Sequence, residues 1–178
     1  MEKISDWLRK LSGETSLTYD PESMLAAAMR GSLSEVRGLI ENGADINYRD
    51  RENATALIAA SVKGHPKIVT LLLERGADVN IRTVQGFTAL FGASGKGNRE
   101  IVRMLLEKGA DPNIGEQHGI TPLMVACFYG HTEAVELLLR AGANAELRND
   151  DGFMALELAR SQGHSEIVRL LETHTVRS

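Results

Sequence analysis

Residues 55–80 read TALIAASVKGHPKIVTLLLERGADVN, and most of the chain aligns to them. The close, Gly76-Ala77-Asp78-Val79-Asn80, recurs as Gly43-Ala44-Asp45-Ile46-Asn47, Gly109-Ala110-Asp111-Pro112-Asn113 and Gly142-Ala143-Asn144-Ala145-Glu146, at intervals of 33 residues. The opening, Thr55-Ala56-Leu57-Ile58, returns at the same interval as Thr88-Ala89-Leu90-Phe91, Thr121-Pro122-Leu123-Met124 and Met154-Ala155-Leu156-Glu157. Within one unit the residues spell two helices. The Thr55 hydroxyl is an N-cap, and Leu57, Ala59 and Ala60 offer small apolar packing. Gly64 suits a left-handed helix stop, and Pro66 fits the first turn of the next helix. Ile68, Val69, Leu71, Leu72 and Leu73 supply that helix's apolar side, and Gly76 ends it. Helices of about ten residues are marginal alone. They hold by stacking on neighbouring units, so stability is a sum of unit and interface terms.

A 33-residue period, with Thr121-Pro122-Leu123, a central Gly-His at Gly64-His65, Gly130-His131 and Gly163-His164, and a Gly-Ala-Asp close, resembles the ankyrin repeat. The resemblance covers residues 18–178 and implies an all-α solenoid of stacked helix-turn-helix units joined by short β-hairpin-like turns. It places repeats at about 18–49, 50–82, 83–115, 116–148 and 149–178, after an N-terminal segment, 1–17. Where the family usually carries His after T-P-L, this chain has Ile58, Phe91, Met124 and Glu157. Apolar packing is expected to replace the polar network there. The resemblance also puts Asn80 and Asn113 at the hairpin asparagine that a hydroxylase modifies in some eukaryotic members, with Leu72 and Leu105 eight residues upstream. The favoured reading is a loop hydrogen bond.

The two ends depart from the pattern. Ile4, Trp7, Leu8 and Leu11 fall at i, i+3, i+4 and i+7, predicting an amphipathic helix over 1–12 that covers the open end of repeat 1 or docks on a partner, the mixed charge of its polar face arguing against a membrane-surface anchor. Residues 12–19 read as a linker. Asp20 is an N-cap, Pro21 opens a helix, and Glu22-Ser23-Met24-Leu25 replaces T-P-L in an atypical first repeat. In repeat 5, Glu157, Arg160, Glu166, Arg169 and Glu172 predict a C-terminal cap, with fraying over Thr173–Ser178. The sequence therefore reads as a complete, capped array.

Composition restricts the function classes. The 178 residues are 43% hydrophobic and 25% charged, ordinary for a globular protein. The net charge of −4 argues against a general nucleic-acid binder. One cysteine, Cys127, excludes an intrachain disulfide and points to a reducing compartment, hence a cytoplasmic location, or nuclear in a eukaryote. No apolar run is long enough to span a membrane.

Catalytic motifs fail on inspection. Gly92-Ala93-Ser94-Gly95-Lys96-Gly97 suggests a phosphate loop, but G-x-x-x-x-G-K-[ST] requires Gly at position 90 and Ser or Thr at 97, occupied by Leu90 and Gly97. The register also places the segment on a helix. Gly92 and Gly95 each disfavour that helix by about 1 kcal/mol relative to Ala, so it is expected to be the weakest of the stack. Cys127 and His131 stand four apart without a third group or oxyanion feature, and no His or Cys spacing suits a metal. We expect no enzyme, no cofactor and no metal.

What remains is a non-catalytic module that binds a protein partner through the concave face of the stack and is monomeric alone. The alternatives are a substrate-recruiting or regulatory subunit of an enzyme complex, or a small-ligand or enzymatic protein on this scaffold. By register, that face gathers the turns beginning at Asp50, Thr83, Glu116 and Asn149 and the two residues before each Gly-His position. Phe87, Ile120, Phe128, Tyr129 and Phe153 then form one apolar strip, with a notch at Gly95. Arg51, Arg82, Gln85, Lys96, His118, Asp150 and Asp151 stand around it, cationic toward the N-terminal half and anionic at the other end.

Overall fold

The computed structural model describes residues 21–175, which form ten helices and no strand. They pair as α1 (Pro21–Arg30) with α2 (Leu33–Glu41), α3 (Ala56–Lys63) with α4 (Pro66–Glu74), α5 (Ala89–Gly95) with α6 (Arg99–Glu107), α7 (Pro122–Tyr129) with α8 (Thr132–Arg140), and α9 (Ala155–Ser161) with α10 (Ser165–Thr175). The odd-numbered helices stack in one row and the even-numbered in a second. The helix expected over 1–12, the linker, the Asp20 cap and residues 176–178 lie outside the described residues. Where fraying is expected, α10 runs to Thr175, and the Thr173 hydroxyl donates to the Leu170 carbonyl.

Capping follows the residue types. Thr55, Thr88 and Thr121 accept from the N–H groups of Ile58, Phe91 and Met124 at 3.1–3.3 Å. Met154 has no oxygen to do this. Instead Glu157, three residues on, accepts the Met154 N–H at 2.7 Å. The inner row stays thin because one alanine recurs at its centre: Ala27, Ala60, Ala93, Ala126 and Ala159 are all fully buried. Ile68, Leu72, Ile101, Leu105, Val135, Leu138, Ile167 and Leu171 fill the space between the rows.

Two polar ladders tie successive units. His65, His131 and His164 reach back with Nε2 to the carbonyls of Met29, Gly95 and Phe128, at 3.3, 3.2 and 3.1 Å. Repeat 3 has Asn98 at that position, and its side chain caps its own helix by accepting from the Ile101 N–H. On the opposite side of each unit, Asn47, Asn80 and Asn113 accept from the N–H groups of Asp78, Asp111 and Asn144 in the following repeat, at 2.7–3.0 Å. Asn80 and Asn113 thus make the loop hydrogen bonds expected of them.

Gly92 and Gly95 have a structural use. A Cβ on Gly92 would stand 2.4 Å from Val62 Cγ2, and one on Gly95 3.1 Å from Val125 Cγ2. These glycines let α5 approach α3 and α7. Val125 packs beside Gly95, where a notch is expected, and Gly95 stays on the lining of an open groove.

One column of the inner row is imperfect. Ser61 and Ser94 are fully buried, and neither hydroxyl has a hydrogen-bond partner. A buried, unpaired hydroxyl costs about 1–3 kcal/mol. Ser94→Ala removes it and improves helix propensity, so we expect a gain of about 1 kcal/mol, read as a higher urea midpoint at unchanged m-value. A lower midpoint would show that the hydroxyl is satisfied in solution.

Candidate functional site

The turns between repeats are built alike from unlike residues. Asp50, Thr83, Glu116 and Asn149 open them, and each accepts with its side chain from the N–H four residues on, at Ala54, Phe87, Ile120 and Phe153. In each turn the opening N–H also donates to the carbonyl of that fifth residue, closing a small hairpin. The fourth position takes positive φ, which favours glycine. Asn53, at φ 57°, is the only non-glycine residue with positive φ among the described residues, and Asn bears it best. Each turn also hangs on the one before: the N–H groups of Val84, Gln117 and Asp150 donate to the carbonyls of Glu52, Gln85 and His118.

This framework holds the fifth residue of each turn beside the ends of the inner helices, and a groove of about 1020 Å³ opens there. Phe87, Ile120, Phe128, Tyr129 and Phe153 all line it, as do Lys96 and Asp151. Tyr129 is 58% exposed, Phe153 49% and Phe128 39%, large values for aromatic residues in an otherwise closed core. Phe128 and Tyr129 meet edge to face at 5.1 Å, a favourable arrangement for two aromatic rings. Phe87 stacks on Phe91 at 5.0 Å and is half-buried.

The other expected rim residues stand outside this groove. Arg82 donates to the Gly115 carbonyl at 2.8 Å, holding two turns together. The Gln85 amide donates to Glu52 at 3.1 Å. His118 lies 3.9 Å from Asp150, again between neighbouring turns. Arg51 is exposed and does not line the groove.

Six apolar wall residues were not named as site residues: Ile58, Val62, Phe91, Met124, Val125 and Leu158. Three of them, Ile58, Phe91 and Met124, belong to the column that follows T-P-L. Its departure from His was visible in the sequence. Val62 belongs to the pair before Gly64-His65 that the register places on this face, whereas Val125 was hidden because it sits one residue from a fully buried helix face.

The groove carries no constellation for chemistry. Cys127 is fully buried, and burial pushes its thiol up to about 12. His131 turns its ring to the Gly95 carbonyl. Among the described residues no group of three His, Cys, Asp or Glu side chains could hold a metal, and no helix is long and apolar enough to cross a membrane.

A family model for ankyrin repeats in three copies matches residues 23–116 and 112–176. The chain is an ankyrin repeat protein. No curated protein sequence matches it closely. Ankyrin repeats are in general protein–protein interaction modules and typically non-catalytic. This ankyrin stack also opens a second cleft, of about 760 Å³, at the seam of repeats 2 and 3, bounded by Val62, Lys63, Gly64, Lys96 and Asn98. It lies where the histidine ladder is interrupted by Asn98.

Proposed function

We propose that this protein is a non-catalytic adaptor that holds a protein partner in the groove of repeats 3–5. The observation that carries the reading is the exposed aromatic set: Phe128, Tyr129 and Phe153 line one groove with Phe87 and Ile120. Interfaces draw most of their affinity from a few such anchors, and soluble monomers rarely leave them open together. A reducing, cytoplasmic setting agrees with the lone buried thiol.

The test uses Tyr129→Ala and Phe153→Ala, whose side chains are about half exposed and contribute little to the core. Partners captured from the native source by the intact chain are identified by mass spectrometry and compared with those captured by each variant. The expected result is a partner whose affinity falls by tenfold or more with each anchor truncated, on the order of 1.4 kcal/mol or more. The melting temperature should move by only a few degrees. If both variants capture the same partner at wild-type affinity, the interface lies elsewhere on the stack.

A further inference from the structure

The groove also says what kind of segment fits it. Its polar groups are mostly engaged. Thr83, Glu116 and Asn149 accept the N–H groups of their own turns, and the backbone N–H groups of Val84, Gln117 and Asp150 are paired with the preceding turn. The Gly95 and Phe128 carbonyls hold the His131 and His164 rings. An extended peptide would find no sheet edge to join here, and its own N–H and C=O groups would be buried against Phe, Ile and Met side chains. Such unpaired groups are costly to bury. A helix satisfies its backbone internally and presents only side chains to the wall.

Two lining charges remain without an ion pair or hydrogen bond among the described residues: Lys96 in repeat 3 and Asp151 in repeat 5. They lie two repeats apart. At a helix-layer spacing of 8–10 Å, two repeat steps come to roughly 16–20 Å along the stack, the length of about 12 helical residues. Helices favour acidic residues in the first turn and basic residues in the last. That intrinsic order matches the groove when the N-terminal end lies over Lys96.

We propose that the occupant is an amphipathic α-helix of a protein partner, about twelve residues long, acidic in its first turn and basic in its last, lying from Lys96 to Asp151 with an i, i+3, i+4, i+7 apolar face on the aromatic wall. The proposal rests on the groove reading of the preceding section.

The probe is a fluorescein-labelled peptide of fourteen residues or so, a little over the ~12 the groove spans, with Leu or Phe at those spacings, Glu in the first turn and Lys in the last. A second peptide keeps every anchor but carries a central proline, and a third has neutral ends. Anisotropy against the full-length chain should show the helical probe binding at least tenfold tighter than the proline peptide. It should bind several-fold tighter than the neutral one at low salt, with that gap closing as salt screens the two charges. A benzophenone at the probe's N-terminus should cross-link to repeat 3.

Equal binding of the proline peptide overturns the helix and leaves the groove reading intact. Cross-linking to repeat 5 overturns the direction. Failure of all three peptides, or peptide binding indifferent to Tyr129→Ala, overturns the helix, while the groove reading stands or falls separately on native-partner capture by Tyr129→Ala and Phe153→Ala. The chain's own residues 1–12 carry the same apolar spacing. A several-fold affinity gain in the full chain bearing Trp7→Glu would make that segment the occupant and overturn the partner. A dimer in sedimentation that dissociates on Tyr129→Ala would make the occupant a second copy.

Discussion

Cys127→Ala is expected to be less stable than wild type at neutral pH and more stable above about pH 10. The reason lies in the thiol. Its ordinary value is 9.0, and burial in α7 raises it to about 12, because the interior disfavours the thiolate. Below pH 9 both folded and unfolded chains keep the proton, and the cysteine contributes its full packing. Above pH 9 the unfolded chain releases the proton while the folded chain retains it. Stability therefore falls as pH rises through the window from 9 to 12. The slope approaches 1.4 kcal/mol per pH unit, so the loss at pH 10.5 is about 2 kcal/mol. Truncation to Ala removes a buried sulfur and costs on the order of 1 kcal/mol at neutral pH. The two effects cross near pH 10. Tyr and Lys titrations are shared by both proteins and drop out of the difference, which guanidinium midpoints at a series of pH values would measure. A gap that stays constant from pH 7 to 11 would mean that the thiol ionises equally in the folded and unfolded states.

The fold was legible because its signals repeat. Thr at 55, 88 and 121, Gly at 64, 97, 130 and 163, and the Gly-Ala-Asp closes each specify a local conformation that needs no tertiary information. Thr55 caps its helix and Gly64 ends it in the left-handed conformation, and Thr88, Thr121 and Gly130 repeat those roles, whereas Gly97, read as part of a helix, lies beyond its end at Gly95. The turns were legible in outline only. Asp50, Thr83, Glu116 and Asn149 do one job with four different side chains. All present an oxygen at a suitable reach, so no residue type marks the position. The groove was half legible. Its aromatic members could be aligned in register, but the walls depend on how closely the helices approach, and that is set by pairs across repeats. Gly92 against Val62 and Gly95 against Val125 are such pairs. Read along the chain, those glycines suggest a weak helix. Read across it, they are where α5 meets its neighbours. The expected rim residues divided in the same way: Lys96 and Asp151 line the groove, whereas Arg82 and Gln85 bind neighbouring turns.

Gly97→Ala should destabilise the protein by about 2–4 kcal/mol, clearly more than Gly109→Ala at about 1–2. Both positions have positive φ, 66° and 83°, which a Cβ disfavours. At Gly109 the strain is the whole effect, since nothing lies within 4 Å of the added methyl. At Gly97 the methyl would stand 2.4 Å from His131 Nδ1, so the ring must leave its place. Leaving breaks the bond from His131 to the Gly95 carbonyl, a link between repeats 3 and 4. Because His131 also lines the groove, the substitution should weaken capture by the folded protein as well as folding. The double variant Gly97→Ala with His131→Ala separates the two causes. With the ring removed the methyl has room, so the pair should cost less than the sum of the single changes by about 1 kcal/mol. Urea midpoints of the four proteins in that cycle, with Gly109→Ala as reference, give the comparison. Additive costs would place the whole penalty in backbone strain and leave the histidine ladder without a part in coupling the repeats that frame the groove.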